Sequence, residues 1–361
     1  MSINKKNYFL YFLNLISSSL LYSFITLTLI SLQFSNSLII VFLSSVASLL
    51  ILGDIKYSQW LEKIPIKFFS LIAFSLSILL LVGSYFFEGK FLYLSFYFAM
   101  EIVILSLSLV FQTKILKDEL TLSAGFLNMQ ILRTVATMFG FLIGSILGAL
   151  NQSEIFFYVF ILITAYNLFA TFNYEEKAQR DFEFQQEKVK GKQFYFIIGL
   201  LSTATTLWIP LIIQTFVQKG IGIFSWIPFI LPGIFATIFM LLQKRYISLF
   251  RSHLMEFVYI PLFLGFYFLR FENIFPMIQA ILFSMITALS LSLTVRNRKY
   301  FLQLNLENNM KYILQSLAIS SGLISLFFSL FGKYEKTIEF ILMFLCLVSV
   351  GYMIKERKKL I

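Results

Sequence analysis

Polar residues in this chain are gathered into short clusters, and between the clusters run long stretches that are almost wholly apolar. A helix needs about 20 predominantly apolar residues to cross roughly 30 Å of hydrocarbon. Stretches of this kind fall at 8–32, 36–53, 67–87, 91–113, 124–150 and 154–173, and then at 193–218, 221–242, 255–270, 274–294, 306–332 and 336–354. The pattern predicts twelve membrane-spanning helices. The first stretch follows Lys5 and Lys6 and runs for roughly 25 residues, whereas the core of a signal peptide has about 7–15. It is therefore expected to stay as a helix.

The polar clusters alternate in charge along the chain. Of the 29 Lys and Arg residues, only Lys90, Lys219, Arg270, Lys333 and Lys336 fall on one side of the predicted arrangement, and Arg133 lies within a span. All the others fall on the other side. Cytoplasmic loops carry the excess of Lys and Arg, so this bias predicts an even number of spans with both termini in the cytoplasm. Lys355-Glu356-Arg357-Lys358-Lys359 is the expected C-terminal anchor. The longest polar segment, 174–192, carries Glu175, Glu176, Lys177, Arg180, Asp181, Glu183, Glu187, Lys188 and Lys190. It divides the chain into a six-helix bundle at 1–173, a charged cytoplasmic linker at 174–192 and a second six-helix bundle at 193–361. Parallel halves of six spans are a known plan in which a binding site lies near the midplane between the repeats. The loops outside are too short for a receptor or catalytic domain.

Composition sharpens this reading. The 361 residues are 59% hydrophobic and 13% charged, against about 45–50% and about 25% in soluble proteins. Charge at half the usual density cannot cover a soluble surface, so the solvent for most of the surface is lipid. The net charge of +11 would otherwise raise nucleic acid as a partner, but the cations sit in short loops where topology needs them, so no nucleic-acid partner is expected. The lone Cys346 excludes an intrachain disulfide, and the lone His253 excludes a histidine-cluster metal site. There is no Gly-x-x-x-x-Gly-Lys-Ser/Thr loop, no His-Glu-x-x-His and no Gly-x-Ser-x-Gly. No ATP motor, enzyme, metal or cofactor is expected, and energy would have to come from an ion gradient, the substrate's own gradient or a partner.

Two stretches resemble a known family. The loop between spans two and three reads Ser58-Gln-Trp-Leu-Glu62-Lys63-Ile-Pro65-Ile-Lys67. It is similar to the Gly-x-Leu-Ala-Asp-Arg-x-Gly-Arg-Arg signature of the major facilitator superfamily. Glu62-Lys63 falls on the Asp-Arg pair and Lys67 on a terminal Arg, while Ser58 and Pro65 replace the glycines. Lys117 to Gln130, leading into span five, resembles the corresponding segment of macrolide-efflux facilitators. Gly140, Gly144 and Gly148 follow it, resembling the antiporter signature Gly-x-x-x-Gly-Pro-x-x-Gly-Gly without its proline. The resemblance implies an all-α integral membrane fold of two pseudo-symmetric six-helix bundles. It also implies a protein of the cytoplasmic membrane acting on a small molecule and on protons, expected as a monomer, while richness in Phe, Ile, Lys and Asn points to an A+T-rich bacterial genome.

Polar residues inside the spans are the candidate chemistry. At about 100° per residue, Gln130, Arg133, Thr137, Gly140, Gly144 and Gly148 share an arc of roughly 80° on span five. The glycines suit either close helix packing or a sliding contact used in gating. A mid-span charge costs at least about 2.5–3.5 kcal/mol on insertion scales, so Arg133 is expected to find a partner, and the candidate is Glu101 on span four. Tyr97, Glu101, Ser108 and Gln112 share an arc of roughly 60°. Glu101 and Arg133 are expected to approach each other or share a cavity, as a structural ion pair, a proton-coupling pair or an anion site. On span one, Asn14, Ser17, Ser18 and Thr28 lie within roughly 100°, either lining a cavity or bonding their own backbone. Trp208, Pro210 and Gln214 on span seven, with Pro228 and Pro232 on span eight, mark an aromatic wall and hinges.

Asn14, Tyr97, Gln130, Thr137, Trp208 and Gln214 are thus the expected cavity residues. Few internal charges and abundant Phe suit an adaptable apolar cavity for an amphipathic or hydrophobic compound, and the resemblance implies that such a compound is exported in a proton-coupled cycle. The second half shows no comparable internal charge, which also fits a protein of this fold that does not transport and serves immunity, scaffolding or sensing. A lipid-linked sugar flippase would need a cationic cavity, and only Arg133 supports that.

Overall fold

The computed structural model describes residues 3–43, 64–86, 90–118, 122–172, 174, 208–245, 254–270, 276–302, 306–332 and 335–360. The described residues are helical nearly throughout. The helices are α1 (Ile3–Ser31), α2 (36–43), α3 (Ile66–Phe86), α4 (Lys90–Asp118), α5 (Leu122–Ala149) and α6 (Ser153–Thr171). They continue with α7 (Trp208–Gln218), α8 (Ile227–Arg245), α9 (Leu254–Arg270), α10 (Pro276–Leu302), α11 (Leu306–Phe331) and α12 (Glu335–Leu360). Six described stretches are long and apolar enough to cross a membrane, and Ala99–Gln112, Ile209–Gln218, Phe257–Phe266 and Ile319–Phe331 are shorter apolar helices. The chain is an all-α, multi-pass membrane protein.

The solvent these helices are built for is visible on α6. Ile155, Tyr158, Leu162, Tyr166 and Phe169 line its outward face, with Phe169 80% and Leu162 69% exposed. Thr164, Asn167 and Thr171 are buried on the opposite face. Water would favour the reverse arrangement, and a continuous apolar face of this kind needs lipid against it. In lipid, polar side chains gain by turning inward to find partners.

Helix ends are set by backbone geometry as well as by hydropathy. After α5, Asn151 takes a left-handed φ of 53°, Gln152 N–H bonds Leu147 O at 2.9 Å and Asn151 N–H bonds Gly148 O at 3.2 Å. After α7, Gly220 takes φ 71°, Ile221 N–H bonds Phe216 O and Gly220 N–H bonds Val217 O, both at 3.0 Å. Both are the paired-bond stop that satisfies the last carbonyls of a helix, and each falls at a predicted short connection. Several helices run beyond their apolar stretch. α4 continues to Asp118, α10 to Leu302 and α12 through Lys355–Lys359 to Leu360. Lys, Arg and Glu are good helix formers, so hydropathy marks the membrane edge and not the end of the helix.

Two compact units divide the chain: Met1–Leu29 with Gly53–Phe182, and Ile30–Leu52 with Glu183–Ile361. In the first, α3 packs on α4 and α6, and α5 packs on α4 and α6. α1 meets α5 at its glycines. A Cβ on Gly140 would strike Ile16 O and Leu20 N, one on Gly144 would strike Leu20 O and Ser23 Oγ, and one on Gly148 would reach Leu27 Cβ at 3.0 Å. In the second unit, α10 is the hub, packing on α7, α8, α9 and α11, while α12 packs on α9 and α11. Pro228 lies in the first turn of α8, a position that suits it, while Pro232 and Pro261 lie inside α8 and α9.

The second unit also takes in 30–52, which an even division at 173 assigns to the first bundle. Within that unit Ser37 Oγ donates to Gly332 O at 3.2 Å and Ser325 Oγ donates to Val41 O at 3.3 Å. Hydropathy counts spans but does not show which neighbours a span packs on. The expected linker lies outside the described residues except for Tyr174.

Because Gly144 meets backbone atoms of α1, Gly144→Ala is expected to lower the thermal unfolding midpoint in detergent, at a cost of about 1–3 kcal/mol for overpacking. Gly351→Ala has nothing within 4 Å of its new Cβ, and is expected to hold or raise the midpoint, since Ala favours helix over Gly.

Candidate functional site

The polar centre of the first unit is Glu101. It lies on α4 among Met100, Val103, Ile104 and Leu107, all buried, and is itself only 6% exposed. Ser18 Oγ on α1 donates to Glu101 Oε1 at 2.6 Å. The other carboxylate oxygen, Oε2, is buried and accepts no hydrogen bond from a described residue. Tyr22 lies one turn beyond Ser18 on α1, and Tyr97 one turn before Glu101 on α4. Glu101 is near enough to act electrostatically on both phenols. The Tyr22 ring in turn meets Phe141 of α5, with centroids 6.1 Å apart. The cluster thus joins two helices through one charge-capable group and encloses it in aromatic and aliphatic side chains.

Ser18 is used differently from its neighbours. Ser17 Oγ donates to Leu13 O, Ser23 Oγ to Ser19 O, Thr26 Oγ1 to Tyr22 O and Thr28 Oγ1 to Phe24 O. These hydroxyls satisfy themselves on their own helix, as Ser and Thr inside helices commonly do. Ser18 reaches across to α4 instead. Further down the same helix, Asn14 Nδ2 donates to Leu10 O at 2.8 Å, and Asn167 Nδ2 of α6 donates to Asn14 Oδ1 at 3.4 Å. Near its start, Tyr174 OH donates to Asn7 Oδ1 at 2.5 Å. Lys6 Nζ and Lys114 Nζ lie 4.6 and 5.3 Å from the centre of the Tyr174 ring.

Of the two arrangements expected for Glu101 and Arg133, a direct ion pair is not formed. Glu101 is bonded to Ser18, and the Arg133 side chain is exposed and forms no ion pair with it. The reason is height. Counted from the α4–α5 connection, Glu101 lies 17 residues along α4 and Arg133 lies 11 residues along α5. At about 1.5 Å per residue the two differ by roughly 9 Å along the helices. An arc on a helical wheel carries no such information. A long guanidinium side chain can also carry its charge toward an interface.

The remaining sequence-derived positions separate into groups. Asn14, Tyr97 and Gln130 are buried within the first unit, and Gln130 Nε2 has no hydrogen-bond partner among the described residues. Thr137 is half-buried and donates to Thr134 O at 2.9 Å. Gly140, Gly144 and Gly148 sit against α1. In the second unit Gln214 is half-buried, and the Trp208 side chain lies outside the described residues. Ser58, Glu62 and Lys63 also lie outside them, while Pro65 immediately precedes α3 and Lys67 stands in its first turn. Sequence reasoning missed Glu339, which is 2% exposed on α12. It sits close to the predicted start of span twelve, among charges that read as the membrane rim. It also missed Asn167, whose signal was a lone amide in an apolar run, and Asn7, which follows Lys5 and Lys6 in the polar lead-in to the first span.

These features define a helical membrane protein with a buried carboxylate at a helix–helix contact. No protein-family model and no curated protein sequence matches the chain. Solved structures do match over nearly its whole length. The nucleoside transporter NupG is similar with a TM-score of 0.66 at 14% identity, covering 98% of this chain and 99% of that one. A D-xylose-proton symporter is similar with a TM-score of 0.71 at 10% identity, covering 98% and 96%. A human organic anion transporter is similar with a TM-score of 0.61 at 13% identity, covering 97% and 99%. The fold is therefore that of the major facilitator transporters.

Removing the Ser18 hydroxyl leaves Glu101 with neither oxygen bonded. Ser18→Ala is expected to cost about 1–3 kcal/mol, read as a lower thermal midpoint in detergent. The same substitution made in a Glu101→Leu background is expected to cost much less, since the orphaned group is then gone.

Proposed function

We propose that the chain is a secondary active transporter that couples proton movement to export of an amphipathic or hydrophobic small molecule across the cytoplasmic membrane. Both termini face the cytoplasm in this reading, as the distribution of Lys and Arg supports. The fold supports the coarser part of it, because all three structural neighbours are transporters. One of them is a proton symporter, so proton coupling is within the reach of this architecture.

The observation that carries the proton step is the state of Glu101. A purely structural carboxylate normally has its buried oxygens paired, whereas here one oxygen is held and the other has no donor among the described residues. An ionised carboxylate kept dry and without a counter-ion costs several kcal/mol. The charge on Glu101 is therefore tied to how α1 and α4 sit together. A movement that parts Ser18 from Glu101 and admits water changes the balance between the protonated and ionised forms, and that exchange is the coupling event. Arg133 takes no part in it. Thr137, half-buried and polar, is the first unit's candidate for contact with the substrate.

The test is transport in liposomes holding the purified protein, with an imposed pH gradient and a panel of amphipathic dyes. Gradient-driven dye movement is expected in the wild type. Glu101→Gln is expected to abolish that response while leaving dye binding within about twofold. Flat traces throughout would instead favour a protein of this fold that serves immunity, scaffolding or sensing. Undiminished coupling in Glu101→Gln would remove Glu101 from the mechanism.

A further inference from the structure

The core of the first unit changes character along its length. Asn7, Tyr11, Asn14 and Ser18 share an arc of roughly 60° on α1. The amides are buried, and each contact goes to a different partner: Asn7 to Tyr174, Asn14 to Asn167 and Ser18 to Glu101. Thr164, Asn167 and Thr171 on α6, with Tyr174 beyond its end, present the matching polar side, all of them buried. Beyond Ser18 the same arc of α1 continues with Leu21, Ile25 and Leu29, again buried. At that level α6 supplies Phe156, Phe157 and Phe160. The Phe24 ring stacks on Phe156 at 3.7 Å, and Phe156 meets Phe157 at 5.3 Å and Phe160 at 5.7 Å. The contacts between α1 and α6 are thus polar as far as the level of Ser18 and aromatic beyond it.

We propose that this polar seam is a one-sided proton path, by which Glu101 exchanges its proton with water at the end of the unit that carries Lys5, Lys6 and Lys114. The inference rests on the proton-carrying role proposed for Glu101. Two buried acceptors along the seam, Asn167 Oδ1 and Glu101 Oε2, receive no hydrogen bond from a described residue. Buried polar groups are normally satisfied, and water does this where the protein does not. Asn14 and Ser18 are separated by about 6 Å along α1, a distance that one or two waters at roughly 2.8 Å contacts can bridge. In loading, a hydronium ion in the seam breaks one O–H bond as Glu101 Oε2 forms one, and a water molecule is left behind. Release into this end is the reverse, and exchange with the opposite side belongs to the state reached when α1 has moved and Ser18 has parted from Glu101. The amides do not carry the proton and act as positioning residues for the waters that do. The described titratable groups beside Glu101 are Tyr22 on α1 and Tyr97 on α4, and the charged groups at the mouth are Lys6 and Lys114. The aromatic half blocks passage onward, so that a proton entering along α1 stops at Glu101.

The experiment needs no substrate. The full chain is reconstituted in lipid and subjected to a pH jump under infrared observation. The carboxyl stretch absent from Glu101→Gln identifies the group, and its rate of proton and deuterium exchange is followed. Asn14→Leu is expected to slow that exchange at least tenfold, and Phe160→Leu in the aromatic half to leave it within about twofold. Asn167→Met, whose flexible side chain adapts to irregular space, is expected to slow exchange as Asn14→Leu does, and serves alone if the leucine variant does not fold. A titrating Glu101 band whose rate is unchanged in the amide variants overturns the seam and leaves the role of Glu101 standing. A Glu101 that gives no titrating band overturns both.

Discussion

Every buried polar group in a membrane protein must find its partner inside the protein, because the hydrocarbon around it offers none. That constraint explains why α6 carries Phe169 and Leu162 outward and Asn167 and Thr171 inward. It also explains why the hydroxyls of α1 turn back onto their own carbonyls. Most of the polar chemistry in the first unit is absorbed in this way. Among the few groups for which the absorption is incomplete, the carboxylate stands out. Glu101 has one oxygen on Ser18 and one with no described donor. In a solvent that makes such a group expensive, its retention at a helix–helix contact is the clearest mark of function on the molecule.

The glycines of α5 make that contact geometry possible. Gly140 and Gly144 bring α5 against the backbone of α1, where any side chain would collide. Helices that touch through backbone have little slack, so the position of α1 is held closely. Glu101 reads that position through Ser18. Packing and chemistry are linked at this point, since a displacement of α1 large enough to break a 2.6 Å hydrogen bond must also part α1 from its neighbours. The packing role considered for these glycines is the one this close contact displays.

The two halves of the first unit's core divide the labour. Stacked phenylalanines at the end of α1 and the start of α6 exclude water. Amides at the opposite ends hold polar contacts between α1, α6 and Tyr174. Such a division places a titratable group at the boundary between a dry region and a wettable one, where a small rearrangement changes its surroundings most.

Hydropathy alone determined the membrane solvent, the helical class and, among the described residues, the approximate limits of most spans. All of these follow from local sums over some twenty residues, and lipid imposes them on each segment independently. Short connections were legible for the same reason, although Asn151 and Gly220 show that a left-handed residue makes the stop. Glu101 was legible as a charge in an apolar run, and its neighbour Tyr97 as its companion on the helical wheel. Its partner was not. The wheel gives direction around a helix and ignores height along it, so it paired Glu101 with Arg133, when the difference of roughly 9 Å along the axes separates them. Tertiary structure decided that Ser18, one of several similar hydroxyls, is the one that crosses to α4. It also decided that 36–43 packs within the second unit, and that Glu339 is buried. Each of these depends on which helix lies beside which and at what level, a relation between distant parts of the chain that no local pattern encodes.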